Sequence, residues 1–402
     1  MLGSSQSYIW KIDQDMKMTR KNADTSELYS CCRNNDINRV KELVKTLTLN
    51  EIDRIEPNGS TALHVASYYG HTEIVRLLLE RGASRSIRNS HGYTPEIESR
   101  THEVKQLFLR KNENDRYVCH SGQIQWMKSD ENIHREAEKW RWIIKHSWEG
   151  RNLDCLVHEI QTDFIDVEFK ESQQFEIIQK FFNQARQEMD PISLIKAYTA
   201  ETDFYKHLNK QLAIVGGNFK SANSDVNRCG IKCYLQVIFT HRDFDRLSYI
   251  GESYRGMSIF KHDLDQYEVG SQIMNNSFLS TSSDYRVAEK FALDNIDKNQ
   301  EKYTAICTYK IQNVRTALSI MEISEYENEK EVLVMPYTAF RVISIRTNST
   351  NQNGQPDFLI DLEECLPASE HGNQTKNLDT LKPLTFRKKL KRKFNKWLGN
   401  EI

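Results

Sequence analysis

The spacing of apolar residues changes along the chain from a helical period to a period of two. Up to about residue 241, apolar positions recur every three or four residues, which predicts amphipathic helices. Beyond that point they fall into short runs that predict strands. The runs are LSYIGESYRGM, SFLSTS, YTAICTYKI, TALSIME, KEVLVMP and FRVISIRT. Helices followed by strands are typical of an α+β domain with a mostly antiparallel sheet.

Three helices are predicted before these strands. FEIIQKFFNQARQ begins near residue 174, and CGIKCYLQVIFTHR begins at Cys229. The helix between them begins after Asp190, which suits an N-cap, with Pro191 at its first position, and continues to about residue 215.

The N-terminal third contains an internal repeat. Gly59 and Thr61 recur as Gly92 and Thr94 with a spacing of 33 residues, and the first copy reads NGSTALHVASYYGHTEIVRLLLERGA. This period and the TALHVA stretch resemble the ankyrin repeat. An earlier copy is predicted upstream, because YSCCRNNDINRVKELVKT resembles the helix pair of such a repeat. Its Val40, Leu43 and Val44 fall where Val75, Leu78 and Leu79 fall later.

The third copy departs from the pattern, because Pro95, Glu96 and Ile97 replace Ala62, Leu63 and His64. A degenerate terminal copy is typical of a cap. We predict an N-terminal segment 1–23 and two to three ankyrin repeats over residues 24–112. The resemblance implies a module that binds a protein partner, and a purely structural role for the stack stays open.

Residues 113–159 are predicted to be a Trp-rich helical linker. Five residues share one face at helical spacing, namely Ile133, Ala137, Trp140, Ile144 and Trp148. A helix packed on a neighbouring domain explains this stripe more simply than an aromatic ligand site, because aromatic side chains dominate core burial.

Composition and charge restrict the classes of function. The net charge is −1, so we expect no nucleic-acid partner. No apolar stretch has the length of a signal peptide or a membrane span, so we expect a cytoplasmic protein. The eight cysteines are scattered without the spacing of zinc ligands, and we expect no metal.

Three short motifs follow one another in the strand region. They are YRGM at 254–257, FLSTS at 278–282 and ENEKEVLVMP around Glu329 and Glu331. An Arg, a Ser-Thr-Ser and a Glu-x-Glu on successive strands resemble the arginine-specific mono-ADP-ribosyltransferases. The resemblance covers residues 160–348, which we predict to be the catalytic domain.

The resemblance implies NAD+ as the substrate and assigns the site residues. Glu331 is the catalytic glutamate, because a carboxylate stabilises the positive charge that develops on the ribose. Ser280 orients Glu331 through a hydrogen bond. By the same resemblance, Arg255 binds a phosphate or ribose of NAD+ with its guanidinium fork. Gly256 and Ser280 are also expected to contact NAD+. Phe291 stacks on the nicotinamide ring.

Glu329 indicates the acceptor. In this family the Glu-x-Glu form accompanies arginine as the acceptor, and a second carboxylate can pair with the target guanidinium and take its proton. The period of two in a strand predicts that Glu329 and Glu331 project to the same side. We also expect Tyr326 to be exposed where it would meet the target, although an exposed tyrosine is common on any surface.

The C-terminal part has two predicted segments. Residues 349–380 are predicted to be a linker. Residues 381–402 form a basic amphipathic tail, with Phe386, Leu390, Phe394, Trp397 and Leu398 at helical spacing among eight basic residues. Such a tail suits a membrane surface, a partner protein or a nuclear address, and a solvated tail stays open.

These observations predict an enzyme that transfers ADP-ribose from NAD+ to exposed arginines of a target protein, with ankyrin repeats that bind a partner. Two alternatives stay open. One is a catalytically silent ankyrin scaffold with an NAD-binding domain. The other is an NAD+ glycohydrolase, in which water replaces arginine.

Overall fold

The computed structural model describes residues 25–110, 126–128, 133–146, 150–218, 229–294, 302–348 and 355–366. It divides the chain into two compact units, Met1–Leu109 and Arg110–Ile402. The basic tail, Trp148 and the segment 1–23 lie outside the described residues.

The first unit is a series of short helices. They are α1 (Glu27–Asn34), α2 (Ile37–Thr46), α3 (Leu49–Ile52), α4 (Ala62–Tyr69), α5 (Thr72–Arg81) and α6 (His102–Gln106). The equivalent apolar residues of the first two copies, such as Val40 and Val75, are buried. The resemblance to an ankyrin stack is therefore confirmed at the level of helix pairs.

The turns of the first unit repeat with the predicted period. Gly59 and Gly92 both have left-handed backbones, with φ of 81° and 79°. Such a conformation favours glycine because it has no Cβ. Thr61 and His64 form a reciprocal capping box at the start of α4, and His64 Nε2 lies 3.0 Å from the carbonyl oxygen of Tyr93 in the next copy. The histidine thereby links two successive copies.

The third copy lacks its first helix. Residues 95–98 form turns where α4 stands in the preceding copy, and its second helix, α6, has only five residues. The third copy is the degenerate one that the sequence predicts.

The second unit contains nine helical segments among its described residues. They are α7 (Ile133–His146), α8 (Leu153–Ile160), α9 (Asp166–Glu168), α10 (Phe175–Gln187), α11 (Ile192–Thr199), α12 (Phe204–Asn218), α13 (Cys229–Thr240), α14 (Lys261–Leu264) and α15 (Tyr285–Asp294). A π-helical turn, Gln161–Ile165, joins α8 to α9, and two 3-10 turns lie at Arg242–Leu247 and Glu327–Glu329.

The helix predicted after Asp190 is in fact two helices. Asp190 accepts a hydrogen bond from the amide of Ile192, as a cap should, but the chain leaves the helix at Ala200, whose ψ is 154°. The Thr202 hydroxyl then accepts the amide of Phe204 at the start of α12. Local bonding by such a hydroxyl competes with the helix, which explains the break.

The strands in the described part of the chain form one nine-stranded sheet. They are β1 (Trp126–Lys128), β2 (Gly251–Phe260), β3 (Gln272–Asn275), β4 (Leu279–Ser282), β5 (Lys302–Ile311), β6 (Ala317–Ser319), β7 (Glu331–Val334), β8 (Ala339–Thr347) and β9 (Phe358–Glu364). Their order is β1-β3-β8-β9-β5-β2-β4-β7-β6. Only the β5–β9 pair among these is parallel, so the predicted α+β class with a mostly antiparallel sheet is confirmed.

Strand β9 corrects the prediction of a linker at 349–380. It inserts between β5 and β8 and pairs with both along its length. Ile360 and Leu362 are buried, as is Glu364, which accepts the amides of Gln312 and Asn313. The alternation of apolar residues in FLIDLEE is typical of a half-buried strand. The polar residues that precede it led to the prediction of a linker, but they do not extend into this strand.

Helix α7 belongs to the core of the second unit. Ile133, Ala137 and Ile144 are buried in the same apolar cluster as residues of α8, α10, α11 and α13, and Trp140 packs against that cluster. The expected stripe of apolar residues is therefore a packing surface. Strand β1, on the segment that precedes α7, pairs with β3 at the edge of the sheet.

Candidate active site

The Ser-Thr-Ser strand lies directly against the strand that begins with Glu331. In the β4–β7 register, Ser282 is opposite Glu331 and Ser280 is opposite Leu333. Residues opposite one another in an antiparallel pair, and residues two apart in a strand, share a face of the sheet. Ser280, Ser282 and Glu331 therefore lie on one face. Thr281 lies on the other face, where its hydroxyl donates to the carbonyl of Val332 at 2.7 Å.

The Glu-x-Glu segment is a turn that leads into a strand. Glu329 is the last residue of a 3-10 turn, Lys330 has a left-handed backbone with φ 46°, and Glu331 is the first residue of β7. The expectation that a period of two relates the two glutamates is therefore wrong, because only Glu331 lies in a strand. The turn nevertheless buries both carboxylates, and it directs Lys330 to Asp284 at 2.8 Å.

The serine strand fixes this turn. The Ser282 hydroxyl donates to the carbonyl of Glu329 at 2.9 Å, and the amide of Ser283 donates to the carbonyl of Lys330 at 3.1 Å. An unusual backbone persists only where its surroundings hold it. Ser282 therefore supports the loop that carries Glu329.

Arg255 is anchored to the same strand. It lies on β2, where its neighbour Tyr254 is the residue that pairs with Ser282 of β4. Its Nη1 donates to the carbonyl oxygen of Ser280 at 2.6 Å, and the side chain is buried. The structure thus brings the motif arginine and the motif serine together, through the backbone of Ser280.

Gly256 allows a helix to approach β2 closely. A Cβ added at Gly256 would lie 1.9 Å from the carbonyl oxygen of Ala288 and 2.7 Å from the amide nitrogen of Ala292, both on α15. The predicted stacking residue, Phe291, lies on this helix and is buried. The structure therefore gives Gly256 a packing reason that holds with or without a nucleotide.

A guanidinium from the chain itself is bound to Glu329. Arg110, the first residue of the second unit, donates from Nε to Glu329 Oε1 at 2.8 Å and from Nη2 to Oε2 at 3.2 Å. Its Cζ lies 3.8 Å from the centre of the Tyr326 ring, and its Nη2 also donates to the carbonyl of Thr199 at 3.1 Å. Only 5% of Arg110 and 3% of Glu329 is exposed.

Electrostatics hold Arg110 in its charged form. Burial would lower the pKa of its guanidinium, but the carboxylate of Glu329 outweighs this and raises that pKa above its ordinary value. The charge of Glu331 acts in the same direction. Both glutamates of the motif therefore act on the same bound cation.

Tyr326 corrects a second expectation. It is buried rather than exposed, and its hydroxyl donates to Glu201 Oε2 at 2.7 Å. Its ring forms a wall against which the guanidinium of Arg110 lies. Neither Arg110 nor Thr199 was a predicted site residue. Their sequence separation from Glu329 is large, 219 residues for Arg110, and no local motif marks them.

Family models match both parts of the chain. A model of ankyrin repeats matches three copies over residues 9–112. A model described as NAD:arginine ADP-ribosyltransferase matches residues 130–355, which is more than half of the chain. The chain belongs to the NAD:arginine ADP-ribosyltransferase family. Its second unit is an ADP-ribosyltransferase domain, and the substrate of this family is NAD+.

Relatives of known sequence match the ankyrin part of this transferase. Ankyrin repeat domain-containing protein 13B of Mus musculus is 36% identical over 86 residues, which is 20% of this chain and 14% of that protein. Ankyrin repeat domain-containing protein 13C of Danio rerio is 30% identical over 87 residues, which is 21% of this chain and 17% of that protein. The match thus spans less than a fifth of the length of these relatives.

Solved structures match the transferase part at low identity. The type III effector XopAI of Xanthomonas axonopodis pv. citri is 16% identical, with 58% of this chain and 98% of that chain covered and a TM-score of 0.37. The Vis toxin of Vibrio splendidus, an ADP-ribosyltransferase, is 18% identical, with 63% and 95% covered and a TM-score of 0.33. Exoenzyme S of Pseudomonas aeruginosa is 19% identical, with 57% and 97% covered and a TM-score of 0.34.

Two kinds of feature are absent from the described residues. No helix among them has the length and apolar character to cross a membrane. Within the same part of the chain, no group of three or more His, Cys, Asp or Glu side chains is arranged to hold a metal ion.

Proposed function

We propose that this transferase moves ADP-ribose from NAD+ to arginine side chains of a target protein and releases nicotinamide. We further propose that its ankyrin repeats bind a protein partner, since stacked helix pairs present an extended surface of this kind.

The observation that supports arginine as the acceptor is the bidentate pair between Glu329 and the guanidinium of Arg110. Two parallel N–H···O bonds give an Arg–carboxylate pair both strength and geometric selectivity. The ring of Tyr326 adds a flat apolar wall that suits a planar cation. A carboxylate and an aromatic ring placed in this way suit a target arginine better than an uncharged acceptor.

Glu331 is the proposed catalytic carboxylate. It is completely buried, at the start of β7 and directly opposite Ser282. Charge stabilisation by a carboxylate is stronger in a site that excludes water. Glu331 therefore suits the stabilisation of the positive charge that develops on the ribose when the bond to nicotinamide breaks. Glu329 then takes the proton that the attacking guanidinium loses.

The remaining site residues are proposed to hold NAD+. The guanidinium of Arg255 is fixed by its bond to the Ser280 carbonyl, and a fixed fork suits bidentate recognition of phosphate or ribose oxygens. The hydroxyl of Ser280 shares a face with Glu331, which supports the proposal that it orients this carboxylate. Phe291 stacks on the nicotinamide, and Gly256 sets the distance of its helix from β2.

The test measures nicotinamide release and ADP-ribosyl-agmatine, with agmatine as a small arginine mimic. The chain carries Arg110→Gln, because native Arg110 already holds the contacts that an acceptor would need. We expect both products to form. Glu331→Gln should lower both by about 100-fold or more, as loss of a group that stabilises transition-state charge does.

Glu329→Gln separates transfer from hydrolysis. It should abolish ADP-ribosyl-agmatine while some nicotinamide release continues, because Glu329 acts on the acceptor and not on NAD+. The loop at residues 321–329, called the acidic loop, also carries the exposed Glu322. Glu322→Gln is therefore the matched control and should leave both products unchanged. A rate of nicotinamide release that does not change when agmatine is added, without ADP-ribosyl-agmatine, would favour a glycohydrolase. No release above the Glu331→Gln level, in folded protein, would favour a silent scaffold.

A further inference from the structure

The guanidinium bound to Glu329 has the chemistry of the proposed substrate. Nε and Nη2 of Arg110 bond to the two oxygens of one carboxylate, and the ring of Tyr326 lies under the guanidinium plane. An arginine of a target protein would need these same contacts. The chain therefore presents one of its own arginines where an acceptor would bind.

Three further hydrogen bonds hold Arg110 and the residues around it in place. Thr199, the last residue of α11, offers its carbonyl to Nη2, at the helix end whose dipole favours a cation. The Thr199 hydroxyl accepts the amide of Glu325, so this helix end is tied to the acidic loop. Tyr326, on that loop, is in turn held by Glu201. The pocket is thus built from two chain segments that brace each other.

The remaining terminal nitrogen is the one suited to react. Among the described residues, Glu329 and Thr199 accept hydrogen bonds from Nε and Nη2 of Arg110. A terminal nitrogen is the better nucleophile here, because Nε and Nη2 already donate to Glu329 and Thr199. The bidentate grip therefore presents Nη1 as the attacking atom.

A purely structural ion pair accounts less well for this arrangement. A buried salt bridge stabilises a fold only weakly, because desolvation of both ions offsets their attraction. The partner of Arg110 is Glu329, which lies two residues from the proposed catalytic carboxylate, and the charge of Glu331 also acts on the guanidinium. An ion pair with only a structural role has no need to use the acceptor glutamate.

We propose that Arg110 is an acceptor carried by the chain itself, and that the enzyme ADP-ribosylates Arg110 at Nη1 within the same molecule. This inference rests on the proposed function. In the step, the bond between the ribose C1 and the nicotinamide nitrogen breaks, and its electron pair leaves with neutral nicotinamide. A bond forms between C1 and Nη1, and the proton that Nη1 loses passes to Glu329 and then to water. The product guanidinium keeps one positive charge, and no oxidant or reductant is needed.

Peptide mass spectrometry of the full chain after incubation with NAD+ tests the proposal. We expect one ADP-ribose on Arg110, and a rate of modification that does not change when the protein is diluted tenfold. Arg110→Lys should lose this modification, because an amine cannot replace the guanidinium fork. Arg135→Lys, a matched change at an exposed arginine of α7, should retain it.

A mixing experiment separates modification within one molecule from modification between molecules. The inactive Glu331→Gln chain carries a mass tag and is incubated with the active chain and NAD+. We expect the modified Arg110 peptide only from the active chain. Equal modification of the tagged chain would overturn the assignment to the same molecule.

Agmatine transfer gives a second readout. A tethered group competes at an effective concentration on the order of millimolar. The initial rate with low-micromolar agmatine should therefore be at least about tenfold higher in Arg110→Gln than in the native chain. Transfer to agmatine by Arg110→Gln without modification of native Arg110 would overturn this inference and leave the proposed function intact. If neither acceptor is modified in folded protein, the proposed function itself fails.

Discussion

Strand β2 and helix α15 approach each other so closely at Gly256 that one added methyl group should lower both stability and activity. In Gly256→Ala, the new Cβ would lie 1.9 Å from the carbonyl oxygen of Ala288. Both nearby atoms belong to the backbone of α15, so no side-chain rotation can relieve the clash. The helix would have to retreat by roughly 1.5 Å to reach ordinary contact, at a cost of about 3 kcal/mol, the upper end for overpacking.

This shift should reduce both stability and activity. About 3 kcal/mol corresponds to a fall in the midpoint of thermal unfolding of roughly 6–12 °C for a domain of this size. Because α15 carries Phe291, and a misplacement of about 1 Å can cost roughly 100-fold in rate, nicotinamide release should fall by a similar factor. Circular dichroism and the release assay measure the two effects.

The matched control is Gly270→Ala. An added Cβ at Gly270 would have no atom within 4 Å, so this change introduces no clash. The φ of Gly270 is 88°, a left-handed conformation that disfavours alanine. This change should cost about 1 kcal/mol of backbone strain and leave the rate unchanged. A Gly256→Ala protein with native stability and native activity would refute the argument that the distance between β2 and α15 sets the site.

Three further predictions follow from other parts of the molecule. Arg255→Lys should lower kcat/KM for NAD+ by about tenfold or more, because an ammonium cannot reproduce an anchored fork; an unchanged kcat/KM in initial-rate assays would contradict this. Ile360→Ala on β9 should cost about 2–5 kcal/mol in urea unfolding, whereas the exposed Ile343→Ala should cost less than about 0.5 kcal/mol; equal costs would show that β9 is dispensable. Burial lowers the pKa of His64 from 6.5 to about 4. Between these pH values the unfolded chain therefore binds a proton at His64 that the folded chain does not. The free energy of unfolding of the ankyrin unit should thus fall by up to about 3 kcal/mol as the pH falls from 6.5 to 4. His64→Gln should remove this pH dependence and His91→Gln should not, as thermal melts at several pH values would show.

Features that depend on local patterns could be predicted from the sequence. The 33-residue period marks the ankyrin copies because each copy repeats the same turn, with Gly59 and Gly92 in the same left-handed conformation. The Ser-Thr-Ser motif and Glu331 were expected on strands, and they lie on β4 and β7, which pair directly in the sheet. The alternation in FLIDLEE also carried enough information to predict β9, although the polar residues before it pointed to a linker.

Features that depend on distant contacts could not be predicted. Arg110 and Glu329 are 219 residues apart, and nothing near Arg110 in the sequence distinguishes it from other arginines. Tyr326 was expected to be exposed because it lies in an acidic loop, yet Glu201 and Arg110 enclose it. The 3-10 turn at Glu329 could not be read from Glu-Lys-Glu either, because hydrogen bonds from Ser282 and Ser283 hold it in place.

The position of β9 has a consequence for how the enzyme is made. Among the described strands it comes last along the chain but lies fourth in the order of the sheet, between β8 and β5. Until residue 364 has left the ribosome, β8 and β5 have no neighbour to join them, and the sheet remains in two parts with unpaired edges. Strands β5, β2, β4, β7 and β6 are direct neighbours, so the part of the sheet that carries the site can pair before β9 emerges. Strands β1, β3 and β8 can join that part only once β9 has emerged, so the two parts of the sheet form one after the other during synthesis.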